Sequence, residues 1–342
     1  MSSDAHPDWK LFLGTRTPHD GIRRLPPPPP WRPFRTHRVL QERVIPEPTA
    51  LTPSVQQRGR SFQSTEAIVE VINAALYLRR PVLVTGQPGS GKSSLIDAVA
   101  YELRLGEPLR WNVTSRSTLR DALYSYDAVG RLHAAEAARG TGQTSEPVHT
   151  ATFMRLGPLG TALLPTDTPR ALLIDEIDKA DLDLPNDLLN VLDEGEFEIP
   201  ELARLAERQV VVRTHGLKSE LHTVLEGKVL CKQFPLVVMT SNGEREFPPA
   251  FLRRCLRLDM PDPCTDVDRL TAVVQAQLGE YVNPRTEADI AQRIQDFVAR
   301  ANKGERLATD QLLNAVLLVA GQHGVPDTRK DALVKTVTQA LG

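Results

Sequence analysis

The stretch 81-PVLVTGQPGSGKSSLIDAVA-100 places a glycine-rich loop between a short apolar run and a helical pattern. Gly86, Gly91, Lys92 and Ser93 satisfy the spacing G-x-x-x-x-G-K-[ST], in the strand–loop–helix context that this motif requires. Glycines let such a loop turn several backbone N–H groups inward, and the amino end of the following helix adds partial positive charge. The sequence therefore predicts a site for the phosphate chain of a nucleotide, formed by Gly86, Pro88, Gly89, Ser90, Gly91, Lys92, Ser93 and Ser94.

Two side chains of this loop have predicted tasks beyond binding. Lys92 would bridge the β- and γ-phosphates, and the Ser93 hydroxyl would be a ligand of Mg²⁺. The alternative is a glycine-rich turn that carries a lysine by chance. The apolar strand before the loop and the helical pattern after it favour the phosphate loop.

A candidate metal partner for the loop lies in 171-ALLIDEIDKA-180. Four apolar residues form a buried strand that brings Asp175 to its carboxyl end, where ligands bind in open α/β sheets. Asp175 would hold Mg²⁺ through its water shell, and Glu176 would polarise the attacking water. The alternative is a solvated acidic turn. For Asp178 and Lys179, the start of a surface helix explains the sequence as well as a role in the site does.

A third polar cluster follows the apolar strand in 236-LVVMTSNGEREFPPAFLRRC-255. Asn242 at the tip of this strand could orient the water between Glu176 and the γ-phosphate. The prolines of 248-PPAFLRRC-255 suit a helix start, and the helix would close with Arg253 and Arg254. An arginine there can stabilise transition-state charge on a nucleotide, in its own subunit or in a neighbour. The alternative is surface charge favoured by the helix macrodipole.

Strand and helix patterns alternate through the middle of the chain. Apolar runs predict strands at 82–85, 109–113, 171–175, 236–240 and 256–260, and helical patterns fall at about 91–104, 117–126, 180–193 and 249–254. Such alternation predicts a parallel sheet with helices on both faces. After residue 262 only helical patterns remain. We expect three regions, a proline-rich arm over 1–60, an α/β core over 61–262 and a helical domain over 263–342.

The arm differs from the rest of the chain in composition. It holds eleven of the 27 prolines, including 26-PPPPP-30, and proline runs favour an extended polyproline II chain without internal hydrogen bonds. It is therefore expected to be partly disordered. Alternatively it is a docking segment, because Trp9, Phe12, Trp31 and Phe34 offer aromatic anchors. The sequence leaves open whether it packs on its own domain or binds a partner.

Composition excludes several classes of protein. A formal net charge of −2 over 342 residues argues against a protein that coats nucleic acid. The three cysteines show no metal-ligand spacing, which favours a reducing compartment. The longest apolar stretch near the end, 312-LLNAVLLVA-320, is too short to cross a bilayer. We expect a cytoplasmic protein that does not bind membranes, and the net charge disfavours nucleic acid as its main partner.

Together these motifs resemble the AAA+ ATPases, and among them the MoxR-type group, over roughly residues 61–320. The segment 153-FMRLGPLGTALL-164 is similar to that group's F-x-x-G-P-L…A-L-L signature, and 184-LPNDLLNVLDEGEFEIPEL-202 to its helix leading into a short hairpin. The segment 239-MTSNGEREFPPAFLRRC-255 is similar to its sensor and arginine-finger region. The resemblance implies a three-layer αβα core with a parallel sheet, followed by an all-helical lid.

The resemblance also implies roles for single residues. Asn242 corresponds to sensor 1, Arg254 is the better candidate for the arginine finger and Arg253 the second. A sensor 2 arginine is expected at a lid helix start, but 304-GERLATDQLLNAV-316 has polar residues there, so Arg306 substitutes or the role is absent. Segments 209–214 and 227–232 read as a hairpin, which contacts substrate in related ATPases or is structural.

The activity implied is Mg²⁺-dependent hydrolysis of ATP by a homo-oligomeric ring, a hexamer by resemblance. Such rings remodel protein partners, often proteins with von Willebrand factor A domains. Two other classes stay open. One is the motor subunit of a nucleic-acid-acting complex, and the other is a slow nucleotide-gated switch, although a pure binder does not need Glu176, Asn242 and Arg254 together.

Overall fold

We describe the fold from a computed structural model, over residues 9–34, 50–140, 150–216, 219–279, 286–320 and 327–339. Its centre is a sheet of five strands, β1 Val82–Thr85, β2 Leu109–Asn112, β5 Ala171–Asp175, β10 Leu236–Ser241 and β11 Leu256–Asp259. They are all parallel, in the order β11-β1-β10-β5-β2. All five predicted strands are confirmed. Strands β1, β5 and β10 are almost fully buried, as their unbroken apolar runs require, whereas β2 at the edge of the sheet exposes Asn112.

Alternate residues of each central strand face opposite layers of helices. Leu83, Ile174 and Met239 belong to one apolar cluster, whereas Val84 and Val238 belong to the other. The second cluster is covered by α2 Glu66–Leu78 and α3 Ser94–Glu102. The first is covered by α4 Leu119–Leu123, α6 Pro158–Ala162, α7 Leu184–Glu194 and α9 Pro249–Arg254. This confirms the predicted three-layer αβα core.

Helix α3 is shorter than the predicted helix over 91–104. Gly91 has a φ of +88°, outside the range of a right-handed helix, so the helix begins only at Ser94. A further helix, α1 Pro53–Ser61, packs on α3. This helix spans residue 60, the boundary between arm and core that the sequence composition predicted.

The carboxyl-terminal region is helical, as predicted. Its helices are α10 Val267–Leu278, α11 Glu287–Asn302, α12 Thr309–Val319 and α13 Asp327–Val337. They share an apolar cluster of their own, which includes Leu270, Ile294 and Val316. We call this region the lid. Within the described ranges, no helix is long and apolar enough to cross a lipid bilayer.

A second, mainly antiparallel sheet lies beside the core, and the sequence predicted only part of it, the strand segments 209–214 and 227–232. Its strands are β3 Tyr124–Tyr126, β4 Met154–Leu156, β6 Glu196–Glu198, β7 Gln209–Arg213, β8 Leu221–Leu225 and β9 Lys228–Leu230. Its order is β3-β4-β7-β8-β9-β6. Helix α5 Ala128–Gly140 follows β3 in the chain, and the short helix α8 Pro200–Ala203 follows β6.

One local prediction is too long and another is wrong. The helix expected over 117–126 ends at Leu123, because the chain enters β3, whose Tyr124 is buried in the core. The hairpin expected between 209–214 and 227–232 is not formed, since β7 pairs with β8 and β9 pairs mainly with β6. The sequence did not predict β8, because it contains polar residues and its residues are alternately buried and accessible.

Residues 9–34, which we call the strap, pack on their own domain. Leu11 and Phe12 are 1% exposed within the core cluster. The buried amide of Asn73 accepts hydrogen bonds from the N–H groups of Leu11 (2.6 Å) and Phe12 (3.0 Å) and donates to the Phe12 carbonyl (2.7 Å). The carboxylate of Glu102, which is also buried, accepts from three further strap N–H groups. Residues 1–8 and 35–49 of the predicted arm lie outside the described residues.

We expect Asn73→Ala to lower the free energy of unfolding by about 3 kcal/mol, because it leaves buried strap N–H groups without acceptors. Urea titration of the full chain measures this. Asn190→Ala, at an exposed position of α7, is the matched control and should change stability by less than about 0.5 kcal/mol. Equal effects at the two positions would show that the strap does not depend on Asn73.

Candidate active site

The predicted phosphate loop connects β1 to α3, with Ser93 at the amino end of the helix and Ser94 as its first residue. Gly86 and Gly89 have φ of +147° and +79°, conformations that favour glycine. A Cβ on Gly89 would also lie 3.1 Å from the backbone nitrogen of Thr309, in the first turn of α12. The loop thus has the glycine-dependent backbone of a phosphate cradle and touches the lid.

Lys92 is folded onto this loop. Its Nζ donates hydrogen bonds to the carbonyls of Gly86 (2.8 Å) and Gln87 (2.9 Å), and the residue is 7% exposed. Burial lowers the pKa of the Lys92 ammonium, and the charges of Asp178, Asp175 and Glu176 oppose that effect. The structure therefore places the Lys92 ammonium at the phosphate loop, held by two backbone carbonyls of that loop.

Asp175 is the point where three elements meet. Its Oδ1 accepts hydrogen bonds from the Ser93 hydroxyl (2.7 Å) and from the Thr240 hydroxyl (2.6 Å). The structure therefore brings together Ser93 and Asp175, the two residues predicted to hold Mg²⁺. A hydroxyl beside a carboxylate is the type of oxygen donor set that magnesium uses with phosphates, so the residues present fit the ion.

Glu176 follows in an unusual backbone conformation. Its φ of 58° and ψ of 48° are left-handed, which is uncommon for a residue other than glycine. Its N–H donates to the Thr240 hydroxyl (2.9 Å), and its Oε2 accepts from Lys179 Nζ at 2.7 Å. The hydrogen bond to Glu176 raises the pKa of Lys179. The strand end thus turns the Glu176 carboxylate outward, where Lys179 holds it.

Asp178 is not at the start of a surface helix. It is 5% exposed, and its Oδ2 accepts from the Ser241 hydroxyl (2.9 Å) and from the N–H groups of Asn242 (2.8 Å) and Glu244 (3.3 Å). It therefore fixes the backbone of the loop that carries Asn242. The side-chain amide of Asn242 is half-buried and makes no hydrogen bond to any residue described here.

We expect Asp178→Ala to lower kcat for nucleotide hydrolysis at least tenfold and the free energy of unfolding by about 3 kcal/mol, because two loop N–H groups lose a charged acceptor. Steady-state kinetics and thermal unfolding measure the two effects. Asp178→Asn keeps an acceptor oxygen and should lose less of both. Asp187→Ala, at an exposed position of α7, is the control. Unchanged kcat in Asp178→Ala would contradict a role in placing Asn242.

A cavity of about 440 Å³ opens next to the phosphate loop, between the core and the lid. The Phe62 ring lies 3.6 Å from the place that a Cβ on Gly91 would take, and the buried Ser90 hydroxyl has no partner among the described residues. Ligand pockets have volumes of about 300–1,000 Å³, so this cavity has the size of a small-molecule site. Polar and charged residues from the core and the lid also line it, including Arg58, Gln63, Arg269, Gln277 and Asp310.

Arg253 and Arg254 lie at the other end of the sheet. They end α9 directly before β11, whose Leu256 pairs with Val82 at the amino end of β1. Arg80, just before β1, donates to the backbone carbonyl of Arg254 (3.1 Å). The phosphate loop starts at the opposite, carboxyl end of β1, about 10 Å further along the strand. These arginines therefore lie at the end of the sheet opposite the phosphate loop.

The two arginines differ in their contacts. Arg254 Nε donates to Asp193 Oδ2, and Nη1 donates to the Ala250 carbonyl at 3.3 Å. The Arg253 side chain is exposed and has no such contact within the described part of the chain. Arg306 is exposed in the segment before α12, three residues ahead of the helix end that touches Gly89.

Sequence reasoning missed four residues of this arrangement. Thr240 bridges Asp175 and Glu176, Asp178 fixes the Asn242 loop, Lys179 holds Glu176, and Asp193 binds Arg254. Only Thr240 carried a sequence signal, as a hydroxyl that ends an apolar strand. The other three lie in acidic or mixed-charge stretches that also suit a solvated surface.

A sequence model of the AAA domain, dynein-related subfamily, matches residues 81–255. The match covers slightly more than half of the 342 residues. It includes the phosphate loop, the strand that ends in Asp175, the Asn242 loop and both arginines of α9. A search of curated proteins finds no match to the chain.

Proposed function

Because the chain belongs to the AAA family, dynein-related subfamily, we propose that it is a Mg²⁺-dependent enzyme that hydrolyses ATP to ADP and phosphate. One observation carries the proposal. Ser93, Asp175, Thr240 and Glu176 form a continuous hydrogen-bonded cluster next to the phosphate loop. The groups that would hold a metal and activate a water are thereby joined to the groups that would bind the phosphates.

The proposed roles follow from what each side chain can do. Lys92 and the loop N–H groups bind the phosphates, and Lys92 leaves the two loop carbonyls to do so. Ser93 and Asp175 hold Mg²⁺, which when bound neutralises charge on the β- and γ-phosphates. Glu176 accepts the proton of the attacking water at a carboxylate oxygen, and Asn242 orients that water. Because an ammonium against the carboxylate lowers its basicity, Lys179 releases Glu176 before proton transfer.

The nucleoside is proposed to occupy the cavity between core and lid. Phe62 presents an aromatic ring to the base, and the side-chain amide of Gln277 can donate and accept hydrogen bonds at its edge. The amino end of α12 touches the phosphate loop at Gly89, so ligand binding and lid position are coupled there. Arg306 is the lid residue proposed to sense the γ-phosphate.

We further propose that the working unit is a homo-oligomeric ring in which Arg254 completes the site of the next subunit, with Arg253 as the second candidate. The proposal is supported by the position of both arginines at the end of the sheet opposite their own phosphate loop. A hexamer is proposed from the resemblance to MoxR-type ATPases. So are a cytoplasmic remodelling role and a protein partner, such as a von Willebrand factor A-domain protein.

A phosphate-release assay on the full chain tests this function. We expect phosphate release with ATP and Mg²⁺. We expect none when EDTA removes the metal, because the charge on the phosphates is then not neutralised. The assay reports hydrolysis only, since ATP binding alone releases no phosphate. Bound ATP without phosphate release at any protein concentration would instead indicate a nucleotide-gated switch. Turnover only in the presence of DNA would indicate a nucleic-acid motor.

A further inference from the structure

We propose that Asp193 and strap residue Arg32 are positioning residues for the Arg254 guanidinium, so that the strap sets the arginine a neighbouring subunit uses. This inference rests on the proposed function, in which Arg254 acts on the next subunit's nucleotide. It assigns to the strap a part in catalysis, in addition to its part in the core.

Asp193 joins the two arginines. Its Oδ1 accepts from Arg32 Nη2 at 3.2 Å, and its Oδ2 accepts from Arg254 Nε. Asp193 lies in the last turn of α7, where the negative end of the helix dipole disfavours a carboxylate. Two arginine partners offset that repulsion. Its two oxygens are thus divided between the strap and α9.

Arg32 is fixed on all sides. Its side chain is only 11% exposed, Nη2 also donates to the Leu192 carbonyl (2.7 Å), and Nη1 donates to the Arg79 carbonyl. Its Cζ lies 5.4 Å from the ring centre of Phe234 and 5.9 Å from that of Phe34. These two rings stack at 5.2 Å. Such a bound guanidinium holds the Asp193 carboxylate in one orientation, since Oδ1 is occupied.

Two of the three guanidinium nitrogens of Arg254 are hydrogen-bonded within the chain. Nε contacts Asp193 and Nη1 contacts the Ala250 carbonyl, whereas Nη2 makes no hydrogen bond within the ranges that the structure covers. The side chain remains 44% exposed. This arrangement leaves Nη2 free to donate to a phosphate oxygen. Because the side chain is already ordered, less conformational entropy is lost when it binds the phosphate. Arg253 has no comparable side-chain contact with any residue that the structure describes.

The first test compares kcat of full-length Asp193→Asn in two backgrounds. In wild type we expect kcat to fall about 10- to 100-fold, because the guanidinium loses its orientation, with KM for ATP and ring assembly unchanged. In an Arg254→Ala background, the same substitution should have no further effect. Arg32→Gln should follow the same pattern, and Asp193→Glu should recover part of the rate. Asp187→Asn on the exposed side of α7 is the control.

The second test uses mixed rings, in which a purely structural defect would behave differently. Glu176→Gln subunits donate an intact Arg254, and Arg254→Ala subunits supply an intact site. Adding Asp193→Asn to the Glu176→Gln subunits should remove the restored activity, whereas adding it to the Arg254→Ala subunits should not. Equal loss from both placements overturns the proposal, and so does a faster Asp193→Asn enzyme, which would mean that Asp193 sequesters the arginine.

Activity of the single variants separates the shared site completed by Arg254 from the positioning of Arg254 by Asp193. If Arg254→Ala hydrolyses ATP like wild type, the shared site of the proposed function is wrong, and the positioning role falls with it. If Arg254→Ala loses activity and Asp193→Asn keeps it, the shared site stands and only the positioning role is overturned.

Discussion

Glu176→Gln is expected to lower kcat for ATP hydrolysis by at least about 100-fold while ATP remains bound. The amide has nearly the same shape as the carboxylate, but it cannot accept a proton from the attacking water. The contact that places the residue is made by its backbone N–H to Thr240 and survives the substitution. The lost ion pair with Lys179 joins two side chains that are more than 40% exposed, so it contributes little to stability.

Phosphate release and binding of a fluorescent ATP analogue measure the two halves of this prediction. Glu246→Gln, an exposed acid on the nearby Asn242 loop, is the matched control and should behave like wild type. If Glu176→Gln hydrolyses ATP at the wild-type rate, Glu176 is not the base. If instead it fails to bind ATP, its role is structural.

Arg254→Ala is expected to lower kcat by about 1,000-fold, as removal of an arginine finger does in other phosphoryl-transfer enzymes. The reason is that, in the proposed ring, a positive charge no longer reaches the transition state in the neighbouring subunit. Its own site remains complete, because Arg254 lies at the opposite end of the sheet from its phosphate loop. Binding of ATP to the isolated subunit should therefore be unchanged.

Arg253→Ala is the comparison that makes this result informative. It removes the adjacent charge from the same helix end, where the Arg253 side chain is exposed and makes no hydrogen bond to the residues covered by the structure. We expect a loss of less than tenfold. A large loss in Arg253→Ala together with a small loss in Arg254→Ala would exchange the two roles and would contradict the positioning function of Asp193.

Much of the core could be predicted from sequence because its signals are local. The strands that carry the site are short apolar runs, and the phosphate loop is a fixed spacing of glycines, lysine and serine. Packing such units in parallel brings the carboxyl ends of the strands, including Asp175 and Thr240, to the same end of the sheet. That Ser93 would meet Asp175 was therefore predictable, and the structure places them in hydrogen-bond contact.

The missed features depend on contacts between residues far apart in the chain. The proline content suggested that the arm contributes nothing to a core. In the structure, Leu11, Phe12 and Ile22 of the strap are buried in the core. Two buried polar residues of the core, Asn73 and Glu102, accept hydrogen bonds from the strap backbone. The second sheet has short strands with alternating burial, which resemble turns in sequence. Asp178 and Asp193 look like surface acids until the folded chain shows what they bind.

The central claim is that this chain forms a ring ATPase with sites shared between subunits. ATP turnover per subunit, measured against protein concentration for wild type, Glu176→Gln and Arg254→Ala, tests it most directly. We expect the wild-type rate to rise cooperatively with concentration, and either substitution to abolish the rise. A rate per subunit that is independent of concentration and equal in Arg254→Ala would contradict the claim and show that each subunit works alone.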